Sequence, residues 1–267
     1  MRRNKDANSY AAGLIKITSL ATIQHLMKPF LTAYWKNLLM FNYEIEPSVL
    51  YPYLPKRTEL DFWNNTCYVS LVGFMFLNTR IKGISIPYYR NFEEFNLRFY
   101  VRFKDKELWK RGVVFIKEIV PKRMISFIAN TFYGEHYLYV PMKNSLKEND
   151  DSLEIKYEWL FAKQWNFIKA VADKKSFMAA ANSEEEFITE HYWGYTKLSE
   201  ALTSEYRVTH PAWNIHKVNS FELQCNVAAM YGEKFQDYLV KPRSVFMADG
   251  SEVAVMNKSI IGFDRVS

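Results

Sequence analysis

Cysteine is almost missing: Cys67 and Cys225 are the only two in 267 residues, far apart and each in an apolar setting. That spacing lacks the logic of a metal or redox site, and two cysteines make no disulfide framework. The five histidines form no H-x-H or H-E-x-x-H arrangement, so no metal is implied. There is no glycine-rich phosphate loop, no dinucleotide fingerprint and no Ser-centred elbow. The common NTPase, Rossmann and hydrolase chemistries are thereby excluded, and no cofactor is called for. No run approaches the ~20 apolar residues of a membrane-crossing helix. Behind the basic start MRRNK, Asp6, Asn8 and Lys16 interrupt any signal-peptide stretch. A cytoplasmic protein without a membrane partner is the expectation. The net charge of +6 could suggest nucleic acid. Acids punctuate the densest basic runs, however, and no nucleic-acid-binding signature accompanies them, so no such partner is expected.

Aromatic residues are abundant, at 17% of the chain with 20 Phe, 18 Tyr and 7 Trp. Such side chains fit broad pleated surfaces. Alternation and turn residues predict strands over 35–45, 59–63, 66–76, 92–101, 113–120 and 152–161. Asn64-Asn65 reads as a hairpin turn, because Asn tolerates positive φ, and Asp249-Gly250 as the turn of a final hairpin. Helices are few. Pro47 opens a helical turn to Tyr53, and Pro121 begins a helix with Met124, Phe127 and Ile128 as its stripe and Gly134 as its stop. Ser183 and Glu186 form a capping box that opens a helix running toward Trp193. With no linker and no repeat, the chain reads as an α+β protein: residues 1–27 a partly mobile or helical leader, and 28–267 a single domain. Its large, curled, mostly antiparallel sheet shelters its own edges.

The most informative stretch is 92–101, FEEFNLRFYV. Successive side chains of a strand point to opposite faces, so Phe95, Leu97, Phe99 and Val101 form a core row. Glu94, Asn96, Arg98 and Tyr100 share the other face. An acid, an amide, a guanidinium and a phenol in file suit the polar floor of an interior pocket.

This pattern, E-x-N-x-R-x-Y-V, resembles the hallmark strand of the YqjF-like family, bacterial proteins similar to acetoacetate decarboxylase. FLTAYW (30–35) with Leu38-Leu39, Leu54-Pro55 and TCYVSLVGFMF (66–76) resemble its other landmarks. So do GVVFIKEI (112–119), EFITEHYWGYT (186–196), His210 to Trp213 and SVFMADG (244–250), in the same order. The resemblance spans residues 28–262 and implies a curled, barrel-like sheet with a pocket inside.

Two kinds of chemistry are open on these residues. Arg98 can hold a carboxylate in bidentate fashion, with Asn96 and Tyr100 as neutral partners. Lys117 interrupts the apolar run VVFIKEIV. Desolvation would lower its pKa, and a neutral amine can form a Schiff base. Glu94 is its expected partner across the sheet and an acid or base in its own right. The resemblance implies a Pro-Lys-Lys segment around the catalytic lysine. Only Pro121-Lys122-Arg123 echoes it, so Lys117 or Lys122 could hold that position and neither brings a lysine pair. Glu135 and His136 resemble a short polar stretch of the family and are further ligand-binding candidates. His210 reads as a hydrogen-bonded strand end, and Glu190 to Trp193 as helix residues docked on the sheet. The expectation is a pocket protein for a small metabolite, a carboxylate by preference. The alternative is a decarboxylase-like carbon-carbon lyase acting on a small oxo-acid. The sequence names neither the ligand nor the oligomeric state.

Overall fold

The computed structural model describes residues 28–123 and 137–261. The leader over 1–27, the helix stripe from Met124 to Gly134, and the candidates Glu135 and His136 lie outside the described residues. Among those described, the strands in chain order are β1 (Leu31–Glu44), β2 (Thr58–Leu60), β3 (Phe62–Trp63), β4 (Thr66–Ile81) and β5 (Phe92–Asp105). Next come β6 (Leu108–Val120), β7 (Tyr137–Tyr139), β8 (Met142–Glu148), β9 (Ser152–Phe161) and β10 (Gln164–Met178). The last are β11 (Trp193–Lys197), β12 (Thr203–Thr209), β13 (Asn214–Gln224), β14 (Ser244–Val255) and β15 (Ser259–Ile261). Short helices are α1 (Pro47–Leu50), α2 (Glu184–Thr189) and α3 (Val227–Tyr231). None of the described helices is long and apolar enough to cross a membrane.

All these strands join one curled sheet, antiparallel except where β6 meets β7 and β11. In hydrogen-bonded order, β12, β11, β6, β5, β4, β1 and β14 follow one another. β14 then meets β12 again through Val208 opposite Val255 and Thr209 opposite Ala254, which closes a ring. β13, β10, β9 and β8 continue from β14 and cover the outer face of the ring. The result is the curled α+β architecture expected from the sequence.

Two cores follow from strand alternation. Phe95, Leu97, Phe99 and Val101 of β5 point outward, against Tyr157, Trp159 and Ile168 of the covering layer. Phe95 and Trp159 stack there with ring centres 3.9 Å apart. Gly73 of β4 admits this layer, since a Cβ there would meet Tyr157 Cδ2 at 2.7 Å. Phe92 and Tyr100 of β5 point inward, with Leu38, Met40, Val72 and Phe74. Each large side chain so buried contributes about 1.5–3 kcal/mol.

Local signals behave as their chemistry requires, with three corrections. Asn64 and Asn65 adopt φ of 47° and 63° and join β3 to β4. Ser183 Oγ accepts from Glu186 N at 3.2 Å and caps α2. Asp249-Gly250, however, is no hairpin turn but lies within β14. Gly250 has φ 82°, and a Cβ there would sit 2.1 Å from the Trp35 carbonyl oxygen; close approach of β1 is what requires glycine. The strand expected over 59–63 breaks at Asp61, because β2 pairs with β5 and β3 with β4. Finally, α2 stops at Thr189, and Trp193 opens β11 beside Gly112. His191 therefore lies between helix and strand rather than on a helix.

Candidate functional site

The ring holds a cavity of about 120 Å³. An apolar cavity of ~150 Å³ accommodates benzene, so this space suits a ligand of similar size. Its walls are mostly aromatic and aliphatic, among them Trp35, Phe74, Phe76, Phe92, Phe115 and Trp213. The polar lining gathers on a few elements: Glu94, Asn96 and Arg98 of β5, Tyr137 of β7, Thr189 at the end of α2, and His191 just past it. His210 lines the cavity and also an outer groove that carries Arg80 and Arg90, so its ring is a wall common to both. That ring stacks on Trp213, with centres 4.1 Å apart, and packs on Tyr192 at 4.7 Å.

Glu94 is 3% exposed. Burial raises its pKa to about 7, against the opposing pull of hydrogen bonds from Tyr137 and Asn96 and of the Arg98 charge. Tyr137 Oη donates to Glu94 Oε2 at 2.9 Å and Asn96 Nδ2 to Oε1 at 3.1 Å. Burial, with Glu118 and Glu94 nearby, drives the Tyr137 phenol well above its usual range, so it stays a donor. Arg98 Nη2 donates to the Ile188 carbonyl at 3.3 Å, while its Nε is buried without a partner.

His191 belongs to a second buried cluster. Its Nε2 lies 3.2 Å from Asp61 Oδ2, which also accepts from Arg111 Nε at 2.6 Å. Burial raises the Asp61 pKa, but the His191 and Arg111 hydrogen bonds and charges outweigh it and hold the carboxyl below its usual range. Burial pushes the His191 pKa down to about 4, so the ring is neutral near pH 7. Among the described residues, no three His, Cys, Asp or Glu side chains converge as a metal site requires.

The DUF2071 family, described as uncharacterised conserved proteins, matches residues 32–252. The chain belongs to this family. The uncharacterised protein YqjF of Bacillus subtilis (strain 168) is 30% identical over 179 residues, 66% of this chain and 72% of that protein. Solved structures show the same fold at low identity. Acetoacetate decarboxylase of Legionella pneumophila has a TM-score of 0.60 and 14% identity, over 90% of this chain and 89% of that one. An acetoacetate decarboxylase-like enzyme of Sphingomonas wittichii RW1 has a TM-score of 0.61 and 11% identity, over 89% and 95%. The enduracididine biosynthesis enzyme MppR, complexed with pyruvate, has a TM-score of 0.61 and 10% identity, over 88% and 91%.

Against this DUF2071 fold, the residues singled out by sequence divide. Glu94, Asn96 and Arg98 meet in the cavity. Tyr100 is buried beside them but turned away. Its hydroxyl donates to Ser70 Oγ (2.8 Å), which donates to Asn42 Oδ1 (2.7 Å). Asn42 Nδ2 in turn donates to Ser244 Oγ, and Ser244 to Glu184, so the phenol hydrogen is committed away from the cavity.

Lys117 is not beside Glu94. It pairs with Leu97, on the outer face, and its Nζ donates to the Met230 carbonyl between the Phe161 and Tyr231 rings. Burial lowers its pKa, in the expected direction but at a different place. The cause is a bulge in β6. Arg98 pairs with Phe115 and Leu97 with Lys117, leaving Ile116 as an extra residue that reverses the parity. Glu118, opposite Asn96, is the residue turned inward. Lys122 follows the end of β6 and does not line the cavity either. Among the described residues no lysine lines it. Asp61, Tyr137 and His191 are site residues that alternation could not reveal, because they come from a strand break, a three-residue strand laid parallel to β6, and the segment just past a helix end.

Proposed function

We propose that this protein binds a small carboxylic acid inside the ring, with Arg98 as counter-charge. One observation carries the reading: the buried, unpartnered Nε of Arg98, a residue in the wall of a mostly apolar cavity of about 120 Å³. Glu94 makes the charges balance. A protonated Glu94 leaves Arg98 to the ligand, and an ionised Glu94 competes for it. Besides Arg98, the groups facing Glu94 are Asn96 on its own strand and Tyr137 from β7, whose phenol also meets Glu118 of β6. A similar fold in MppR, complexed with pyruvate, supports a small acid as the ligand class.

Tryptophan fluorescence tests this, since Trp35, Trp193 and Trp213 line the cavity. Titration with butanoate should show saturable binding that Arg98→Leu abolishes. Affinity should fall as pH rises through about 7, by up to tenfold per pH unit, as Glu94 ionises. Glu94→Gln should bind butanoate with no such decline. Binding indifferent to Arg98 would sink the proposal.

A second reading, an enzyme acting on a small oxo-acid, is favoured by that same carboxyl with its pKa near 7, where a general base works best. Glu94 would remove a proton from C3 of 2-oxobutanoate, giving the enolate and a protonated Glu94. Solvent deuterium would then appear at C3 by NMR with the wild type and not with Glu94→Gln. A Schiff-base route has no described lysine in the cavity to support it.

A further inference from the structure

Resting on the reading of the cavity as a carboxylic-acid site, we infer that the ligand also carries a hydroxyl, whose hydrogen His191 Nδ1 accepts. Four polar atoms of cavity-lining residues are buried without a partner. Arg98 Nε and Trp35 Nε1 are donors; Asn96 Oδ1 and His191 Nδ1 are acceptors. Leaving such a group unpaired costs roughly tenfold or more in affinity, so an occupant is selected by which of the four it satisfies. A carboxylate offers only acceptors and answers the donors. The acceptors need an occupant that brings a hydrogen.

The tautomer of His191 is fixed from outside the cavity. Asp61 is an acceptor held by Arg111, so the imidazole hydrogen sits on Nε2 at 3.2 Å from its carboxylate. A neutral ring has one N–H, which leaves Nδ1 bare. Burial and the charges of Arg111 and Arg98 oppose a second proton, so Nδ1 remains an acceptor at neutral pH. Those charges also disfavour an ammonium group as the ligand's donor, whereas a hydroxyl brings a hydrogen and no charge. Arg98 and His191 flank one ring: the guanidinium lies 5.6 Å and the imidazole 4.8 Å from the centre of Tyr100. The two groups are thus no more than about 10 Å apart, and a 2- or 3-hydroxy acid is the ligand class we assign to that span.

Five probes differing in one group decide this by fluorescence titration of the full chain: butanoate, 2-hydroxybutanoate, 3-hydroxybutanoate, 2-oxobutanoate and 2-aminobutanoate. One hydroxy acid should bind at least about tenfold tighter than butanoate, and the oxo acid no tighter. His191→Phe should bring the affinities of butanoate and the hydroxy acid together, abolishing the hydroxyl advantage. Asp61→Asn, whose amide can donate to Nε2 and so move the hydrogen to Nδ1, should shrink the hydroxyl preference and improve the oxo acid. Independently of any variant, ¹⁵N NMR of the wild type should find the His191 hydrogen on Nε2. A hydrogen on Nδ1, equal binding of butanoate and both hydroxybutanoates, or preference for the amino acid each overturns the hydroxyl. Arg98-dependent binding of butanoate would leave the carboxylate site standing in those cases. Absence of binding by all five acids removes that site as well.

Discussion

A carboxyl group shut among a phenol, an amide and a guanidinium is under opposed forces, and Glu94 shows which one prevails. Burial outweighs its three favourable partners and raises its pKa from 4.5 to about 7. The folded state therefore holds the Glu94 proton more tightly than the unfolded chain. Its contribution to stability is fully present below pH 4.5 and is lost as pH rises through about 7, a difference of about 3 kcal/mol. Glu94→Gln removes the ionisation. In denaturant titrations, the stability of this variant relative to wild type should improve by about that amount between pH 4.5 and pH 8. A constant difference across that range would mean that Glu94 ionises in the fold as it does in water. His191 has the opposite sign. Its pKa falls from 6.5 to about 4, so its share of stability is present above 6.5 and lost as pH falls through about 4.

Among the elements, β6 decides the chemistry. Its single bulge at Ile116 sends Lys117 to the outer core and Glu118 to the ring interior. Lys117 thereby becomes a tether, since its amine holds the carbonyl of Met230 in α3. Lys117→Met should leave butanoate affinity within about twofold. It should cost about 1–2 kcal/mol, a hydrogen bond from a charged donor partly offset by the apolar replacement. Borohydride with 2-oxobutanoate should leave no adduct at Lys117, and a trapped adduct there would return the residue to the site. This element also marks the limit of what alternation can tell. β5 was legible because nothing interrupts its register with β4, where Phe74, Val72 and Ser70 oppose Glu94, Asn96 and Arg98 in step. β6 was not, because a bulge depends on the twist of the neighbouring strand rather than on the type of residue inserted. The break at Asp61 is similar: the local pattern reads as strand, and the competition of β4 and β5 for its two halves is a tertiary fact. In the sequence His191 reads as docking surface, because its partner, Asp61, lies 130 residues away.

At the scale of the whole molecule, a sheet that meets itself leaves its interior without an open edge. Backbone hydrogen bonds join each ring strand to the next, and the covering layer of β13, β10, β9 and β8 closes over the outer face. The curl expected from the strand-rich sequence and from the family resemblance is present. The short contact that completes the ring, Val208 and Thr209 against Val255 and Ala254, is a meeting of two chain regions that no local pattern announces. A small molecule cannot pass between paired strands without breaking several hydrogen bonds at once, so traffic must go through side chains. The imidazole of His210 is a wall common to two spaces, with the cavity on one side and the Arg80–Arg90 groove on the other. For passage between these two spaces that ring, clasped by Trp213 and Tyr192, has to swing. Uptake should therefore be gated in time. In stopped-flow mixing, the observed rate for butanoate should level off as its concentration rises, and His210→Ala should lift the plateau while changing the equilibrium affinity far less. A rate that climbs linearly to the highest concentrations would mean the door is already open.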